Sequence, residues 1–226
     1  MTELFKTICA DPPWSFGDKL PGPSRGAEKN YSVLSIAEIE NFLVTENLVN
    51  QIAPDARLFL WRVASQQEEA LRVMRAWGFI PKAEIVWLKK TATGKRWFGM
   101  GRQVRMEHEV CLIGIKGRPE VLSKSIRSTF EAPYTRHSGK PDAFFDIVEQ
   151  LSPGPYLELF SRVPRVGWTQ LGDEFPKILN EEQIKAFLSS PVDLVSELEK
   201  AQHKHFCDAL DKTTQIPAED WYIRFD

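Results

Sequence analysis

Asp11-Pro12-Pro13-Trp14 joins a carboxylate, two rigid imino acids and an indole. The prolines fix φ and remove two N–H donors, so the local backbone offers carbonyl oxygens as acceptors. Such a group can accept both hydrogens of a conjugated exocyclic amine and turn its developing lone pair toward an electrophile. Asp11 Oδ and the Pro12 carbonyl are the expected acceptors, and Trp14 gives a flat surface beside a base. Transfer would then need no covalent enzyme intermediate, with positioning and desolvation carrying the catalysis. The same four residues also read as a stiff turn after a strand, so the tetrad alone does not choose.

Two more charged positions ask for partners. Glu158 ends an apolar run, where a buried carboxylate is costly unless it is paired. A ligand hydroxyl or amine would serve, and so would Arg162 nearby. Lys140 precedes Pro141 at a helix start, facing an unfavourable dipole, which suggests an external anion; a solvated surface lysine is the plainer alternative.

A third cluster is basic. Lys89, Lys90, Lys95, Arg96, Arg102 and Arg105 alternate with Trp97, Phe98 and Met100. Cations attract phosphates and aromatic rings stack on bases, so this loop resembles a nucleic-acid grip, against the alternative of a solvated loop. Lys19, Arg25 and Lys29 could close on a base from the other side.

The elements that must position these groups alternate. Apolar runs predict strands at Thr7 to Ala10, Arg57 to Val63, Glu84 to Leu88, Glu109 to Ile115 and Tyr156 to Phe160. Capping-box spacings, Ser35 with Glu38 and Ser65 with Glu68, predict two helices. The first carries Ile36, Ile39, Phe42 and Leu43 and continues to Val49 and Ile52; Gly78 ends the second. A third starts at Pro141 and buries Phe144, Ile147, Val148 and Leu151. This alternation predicts an α/β domain with a largely parallel sheet covered on both faces. The two strands around the basic loop have no helix between them and should form an antiparallel pair. Residues 1–175 read as this domain, and 176–226 as an appended helical segment rather than a second domain.

Composition narrows the class. With 226 residues and 42% hydrophobic content the chain can build a core, and a net charge of −2 excludes a generally basic nucleic-acid coat. Cys9, Cys111 and Cys207 are few and far apart, as in a reducing cytoplasm. There is neither a signal peptide nor an apolar run long enough for a membrane span, so the chain reads as soluble. His203, His205 and Cys207 lack the spacing of a closed metal site, and no metal is expected.

Several ordered blocks together resemble the MT-A70 family of adenine N6-methyltransferases, in particular its compact bacterial and phage-type members. They are Ala10-Asp-Pro-Pro-Trp14, Asn30-Tyr31, Leu58-Phe-Leu-Trp61, Ala76-Trp-Gly-Phe79, Glu109 to Gly114, His137 to Asp142, Leu151-Ser-Pro-Gly154, Leu157 to Phe160 with Arg162, and Gly167-Trp168 leading to Leu171-Gly172. The likeness runs from about Thr7 to Glu174.

It implies a Rossmann-like S-adenosylmethionine-dependent methyltransferase sheet in permuted order, with the catalytic strand early and the cofactor strand late. It also implies that Asp11, Pro12, Pro13 and Trp14 are catalytic. Tyr31 would lie near the base, Glu109 and Lys140 between base and cofactor, and Asp11, Glu158, Phe160, Arg162 and Arg165 around S-adenosylmethionine. Asp173 and Glu174 stand where the family has Asn followed by Gln or Glu to hold ribose hydroxyls; Asp173 keeps an acceptor but loses the amide donors.

With Lys95, Arg96 and Trp97 on the substrate, the expected activity is methylation of the adenine N6 amine in nucleic acid, DNA preferred and RNA the alternative. An inactive nucleic-acid-binding partner subunit, and a methyltransferase for protein side-chain amides, are the rival readings. Assembly as a homo- or hetero-oligomer is compatible with the sequence.

Overall fold

The computed structural model describes residues 3–15, 34–99, 103–134 and 139–172, together with the backbone of 175–179. Residues Met1–Ile184 form one compact unit, and the second, Lys185–Asp226, lies outside the described residues.

The strands are β1 (Phe5–Ala10), β2 (Ile52–Arg62), β3 (Ile80–Lys90), β4 (His108–Lys116), β5 (Thr129–Pro133), β6 (Tyr156–Leu159), β7 (Trp168–Gly172) and β8 (Phe175–Leu179). The helices are α1 (Ile36–Thr45), α2 (Gln67–Ala76) and α3 (Asp142–Leu151). All eight strands form one sheet in the order β5-β3-β4-β2-β1-β6-β7-β8. β1 pairs in parallel with both β2 and β6, β6 with β7, and β3 with β5. β4 runs antiparallel to both β2 and β3, and β8 runs antiparallel to β7. The expected α/β fold of the Rossmann-like methyltransferase type is therefore present, including the antiparallel pair around the basic loop.

Period-two alternation sorts the side chains onto two faces. On one face Ile8, Leu58, Leu60, Leu112 and Leu157 pack under Ile39, Leu43, Val73 and Met74 of α1 and α2. On the other, Cys9, Phe59, Trp61, Trp87 and Cys111 pack under Phe144, Phe145 and Val148 of α3. β1, β2 and β4 thus each feed two cores. Truncating a fully buried ring such as Phe59 to Ala would cost about 3–5 kcal/mol.

Local chemistry explains where the elements stop. Ser35 and Glu38 form the expected capping box on α1. The helix does not reach Ile52, because Asn47 takes a left-handed conformation (φ 56°). Its N–H bonds to the Val44 carbonyl, and the buried Leu48 N–H reaches Leu43, which closes the helix end. Val49 then lies in a 3-10 turn and Ile52 begins β2.

The second box does not form: Ser65 belongs to a 3-10 turn, and α2 starts at Gln67 without a side-chain cap. Gly78, with φ 82°, ends α2 by the same pair of bonds, from Gly78 to Arg75 and from Phe79 to Met74. Pro141 is the cap before α3 rather than its first residue. The boundary drawn at residue 175 falls inside the β7–β8 pairing, since Phe175–Leu179 is a strand.

Candidate active site

β1 is flanked by β2, which follows it in sequence, and by β6, which comes much later. Chain order reverses there, and the crevice beyond the carboxyl ends of such strands is where open α/β sheets bind ligands. Asp11 follows the last residue of β1 and donates its backbone N–H to Leu159 at the end of β6. Glu158 lies opposite Cys9 in the register of these two strands.

The charged groups share the α3 face by parity. Trp87 and Lys89 occupy alternate positions on β3, Glu109 and Cys111 do so on β4, and Trp87 is registered against Glu109. Because β4 runs against its neighbours, its first residues lie at the same edge as the last residues of β1, β2 and β3.

A line of alternating charge crosses this edge. Lys140 Nζ is 2.6 Å from Asp11 Oδ2 and 3.3 Å from Glu109 Oε2, and Lys89 Nζ is 2.5 Å from Glu109 Oε1. The Lys140 side chain is only 9% exposed and its ammonium sits 5.0 Å from the Trp61 ring centroid. Burial opposes its charge, but Asp11 and Glu109 outweigh that and raise its pKa above the ordinary lysine value. Burial likewise opposes the Glu109 charge, and Lys140 and Lys89 outweigh it, holding this carboxyl below the usual range. The Lys89 ammonium lies 5.2 Å from the Trp87 ring and 4.9 Å from that of Tyr134.

The structure reassigns several expected roles. Lys140 finds its anions within the chain, at Asp11 and Glu109. Trp14 is buried, at 3% exposure, and donates its indole N–H to the Trp61 carbonyl at 3.0 Å. It anchors the tetrad to β2 instead of presenting a flat surface. The Pro12 carbonyl accepts the Trp14 N–H at 2.8 Å, and the Pro13 carbonyl accepts that of Leu34 at 3.1 Å. Each keeps a second lone pair.

In the basic segment Lys89 turns inward to Glu109, and Lys90 pairs with Glu131 at 2.9 Å. Lys95 and Arg96 are exposed on a tight turn, where Thr91 and Lys95 bond to each other. Trp97 packs against Tyr134 at 4.6 Å, and Phe98 is exposed under the Arg105 guanidinium. Tyr31, Arg102, Asp173 and Glu174 lie outside the described residues.

On the β6 side, burial pushes the Glu158 carboxyl up to about 7, although Arg165 and hydrogen bonds from Gln170 and Ser161 oppose the shift. Phe160 adopts φ 61° and its ring meets Phe42 of α1 at 4.4 Å. The Arg165 guanidinium lies 3.5 Å above the Phe145 ring and pairs with Asp142 at 3.0 Å. Arg162 is half-buried on the same β6–β7 connection.

Sequence reasoning passed over Lys89 as a site member, Trp61 as its floor, and Gln170. The first could have been found from strand parity, two residues beyond Trp87. Gln170 carries no sequence signal beyond being a polar residue in an apolar strand.

The sheet is thus of the Rossmann-like methyltransferase type, with a line of charged groups at its switch point. The chain belongs to the MT-A70 family, whose profile matches residues 5–174. It is 28% identical over 184 residues to the "N(6)-adenosine-methyltransferase MT-A70-like" protein of Arabidopsis thaliana, a match covering 78% of this chain and 25% of that one. It is also 28% identical to the human "N(6)-adenosine-methyltransferase catalytic subunit METTL3", covering 77% and 29%. With the "Type II methyltransferase M.MunI" of Mycoplasma sp it shares 26% identity, covering 76% and 78%. The matched part of the chain thus spans under a third of the plant and human relatives and most of the mycoplasmal one. Among the described residues no helix is long and apolar enough to cross a membrane.

Proposed function

We propose that the protein transfers a methyl group from S-adenosylmethionine to the N6 amine of adenine in a nucleic acid, with DNA as the preferred substrate. The observation that carries this reading is Asp11 at the switch point, with its Oδ2 held by Lys140 at 2.6 Å.

The residues present suit the cofactor. Glu158 is a carboxyl inside the β1–β6 crevice with a pKa raised by burial, as expected of an acceptor that meets a ligand donor there. Glu158, Phe160, Arg162 and Arg165, followed by Asp173 and Glu174, would hold S-adenosylmethionine, with Lys140 and Asp11 beside them. When bound, that group supplies a methyl made electrophilic by its sulfonium. Asp11 accepts one amine hydrogen at Oδ1, and the Pro12 carbonyl accepts the other on its remaining lone pair. The amine nitrogen would take the methyl as the S–CH3 bond breaks, leaving a neutral thioether, and would shed one proton, which Asp11 would accept and pass to solvent. Lys140 and Glu109 keep the Asp11 carboxylate in one orientation, the pre-positioning that such transfers need.

An adenine within a duplex must be turned out to reach Asp11, at a cost of a few kcal/mol. Stacking on an aromatic returns about 1–3 kcal/mol per base. Since Trp14 is buried, Tyr31 and Trp97 are the rings assigned to that task, and Lys95 and Arg96 the phosphate contacts. The 26% identity to a Type II methyltransferase, over 78% of that protein, supports DNA. The names of the plant and human relatives specify adenosine, a ribonucleoside, which makes RNA the second reading. Cys9 and Cys111, both buried free thiols, support a cytoplasmic location.

The test is transfer of labelled methyl from S-adenosylmethionine to DNA and RNA, followed by nucleoside analysis for N6-methyladenine. Cofactor binding without transfer to any nucleic acid would favour an inactive partner subunit instead.

A further inference from the structure

Gln170 of β7 is fully buried, yet every polar atom of its side chain is engaged. Its Oε1 accepts the Arg165 backbone N–H at 2.6 Å. Its Nε2 lies 2.6 Å from Glu158 Oε2, 2.7 Å from the Val163 carbonyl and 2.5 Å from Ser161 Oγ. The network permits only one amide orientation: the oxygen must meet the Arg165 N–H, and the nitrogen must meet the carboxylate and the carbonyl. Two N–H groups cannot serve three acceptors linearly. The Ser161 hydroxyl, which also reaches the Val163 carbonyl at 3.2 Å, rotates to complete the set.

The backbone around this amide is equally constrained. Ser161 N–H bonds to the Leu171 carbonyl at 3.1 Å. Gly172 lies so close that a Cβ there would overlap the Ser161 carbonyl oxygen. Phe160 holds its left-handed turn just before this contact. One side chain therefore grips the terminal carboxylate of β6 and both ends of the 161–165 turn that leads back into the sheet.

We propose that Gln170 is the positioning residue of the cofactor site, fixing the Glu158 carboxylate and the Ser161–Arg165 turn in the shape that receives S-adenosylmethionine. This rests on the functional reading above and adds to it a residue that touches no substrate. Among the described residues, the charged or titratable groups acting on Glu158 beyond Gln170 and Ser161 are Arg165, Asp11 and Cys9. Among these described neighbours, Gln170 lies outside the turn, on β7, and bonds to Glu158, Val163 and Arg165 at once.

The experiment measures S-adenosylmethionine binding by calorimetry from pH 5.5 to 8.5 for the wild type, Q170L and Q170E, with thermal melts for each. Wild-type affinity should rise with pH through a midpoint near 7, as Glu158 becomes a full acceptor. In Q170L affinity should fall at least tenfold and the midpoint should move to higher pH, because the carboxylate has lost its donor. Should Q170L fail to fold, Q170E decides, since it keeps the volume and the acceptor for the Arg165 N–H. Facing Glu158 with a second carboxylate, it should bind worst at pH 8.5 and recover as the pair takes up a proton. Folded variants with wild-type affinity and midpoint would overturn the inference alone. A wild type that binds no S-adenosylmethionine at any pH would overturn the functional reading and the inference with it.

Discussion

Lys140 and Asp11, 129 positions apart in the chain, meet at 2.6 Å, with Glu109 bonding the same ammonium from its other side. A cation at a helix start is unfavourable by itself. Here two carboxylates from β1 and β4 answer it, so the start of α3 is tied to the two strands that frame the site. The pair explains why a buried lysine is tolerated and how an aspartate beyond the end of a strand keeps one orientation.

Removing the carboxylate should therefore separate chemistry from binding. Asp11→Ala is expected to lower methyl transfer by at least about 10²-fold, the scale seen when one positioned polar group is lost from an active site. S-adenosylmethionine affinity should change little. Single-turnover assays with cofactor binding measured alongside test this, and near-normal turnover would refute the assignment.

The charge line should show itself in the pH dependence of stability. The Glu109 pKa is depressed in the folded state, so its ion-pair stabilisation is complete above the ordinary value of 4.5 and is lost as pH falls through the folded one. Lys140→Met abolishes one of its two attractions. The deficit relative to wild type should be about 1–3 kcal/mol near pH 7 and should shrink below pH 4, by about the cost of breaking a partly exposed ion pair. Urea unfolding at several pH values checks it; a deficit that does not vary with pH would contradict the pairing.

Lys89 and its neighbours on the turn should behave differently although all are basic. Replacing exposed Lys95 and Arg96 by Ala should weaken nucleic-acid binding and flatten its salt dependence by about one unit per lost phosphate contact. Lys89→Ala should leave that slope unchanged and lower kcat, because its partner is Glu109. Titrations at graded salt with kinetics on the same proteins distinguish the two. An altered slope for Lys89→Ala would place this side chain on the substrate instead.

Trp14 gives a fourth test. In Trp14→Phe the ring volume is largely kept, but the Trp61 carbonyl loses its indole donor. Stability should fall by about 1–3 kcal/mol, the cost of leaving a buried acceptor unpaired. Catalysis should fall with the misplacement of Asp11, while the affinity for single-stranded substrate stays near wild type. A selective loss of that affinity would restore Trp14 to a stacking role.

The fold was legible where continuous apolar runs mark buried strands, as in β1, β2 and β4, and where caps are local, as at Ser35 with Glu38. It was not legible at Asn47, whose left-handed turn stops α1, nor at Ser65, where a 3-10 turn replaced the capping box. β5 and β8 are short edge strands containing proline, too weakly patterned to stand out. At the site, Lys140 and Glu158 could be singled out as charges in unlikely places, Asp11 by its tetrad, and Glu109 by the family resemblance. What they bond to could not, since Lys140–Asp11 and Gln170–Glu158 depend on crossing connections that bring distant segments to one edge.

The reversed direction of β4 also bears on how this protein could diversify. The long turn between β3 and β4 leaves and re-enters the sheet beside the crevice, and both ends are pinned by the pairing of Trp87 with Glu109. The exposed tip of such a segment, Ala92 to Arg96, can be lengthened, shortened or exchanged without disturbing either core, as surface connections generally allow. With Lys95 and Arg96 proposed as phosphate contacts, exchanging this tip is expected to change which nucleic acid is gripped while both cores stay as they are.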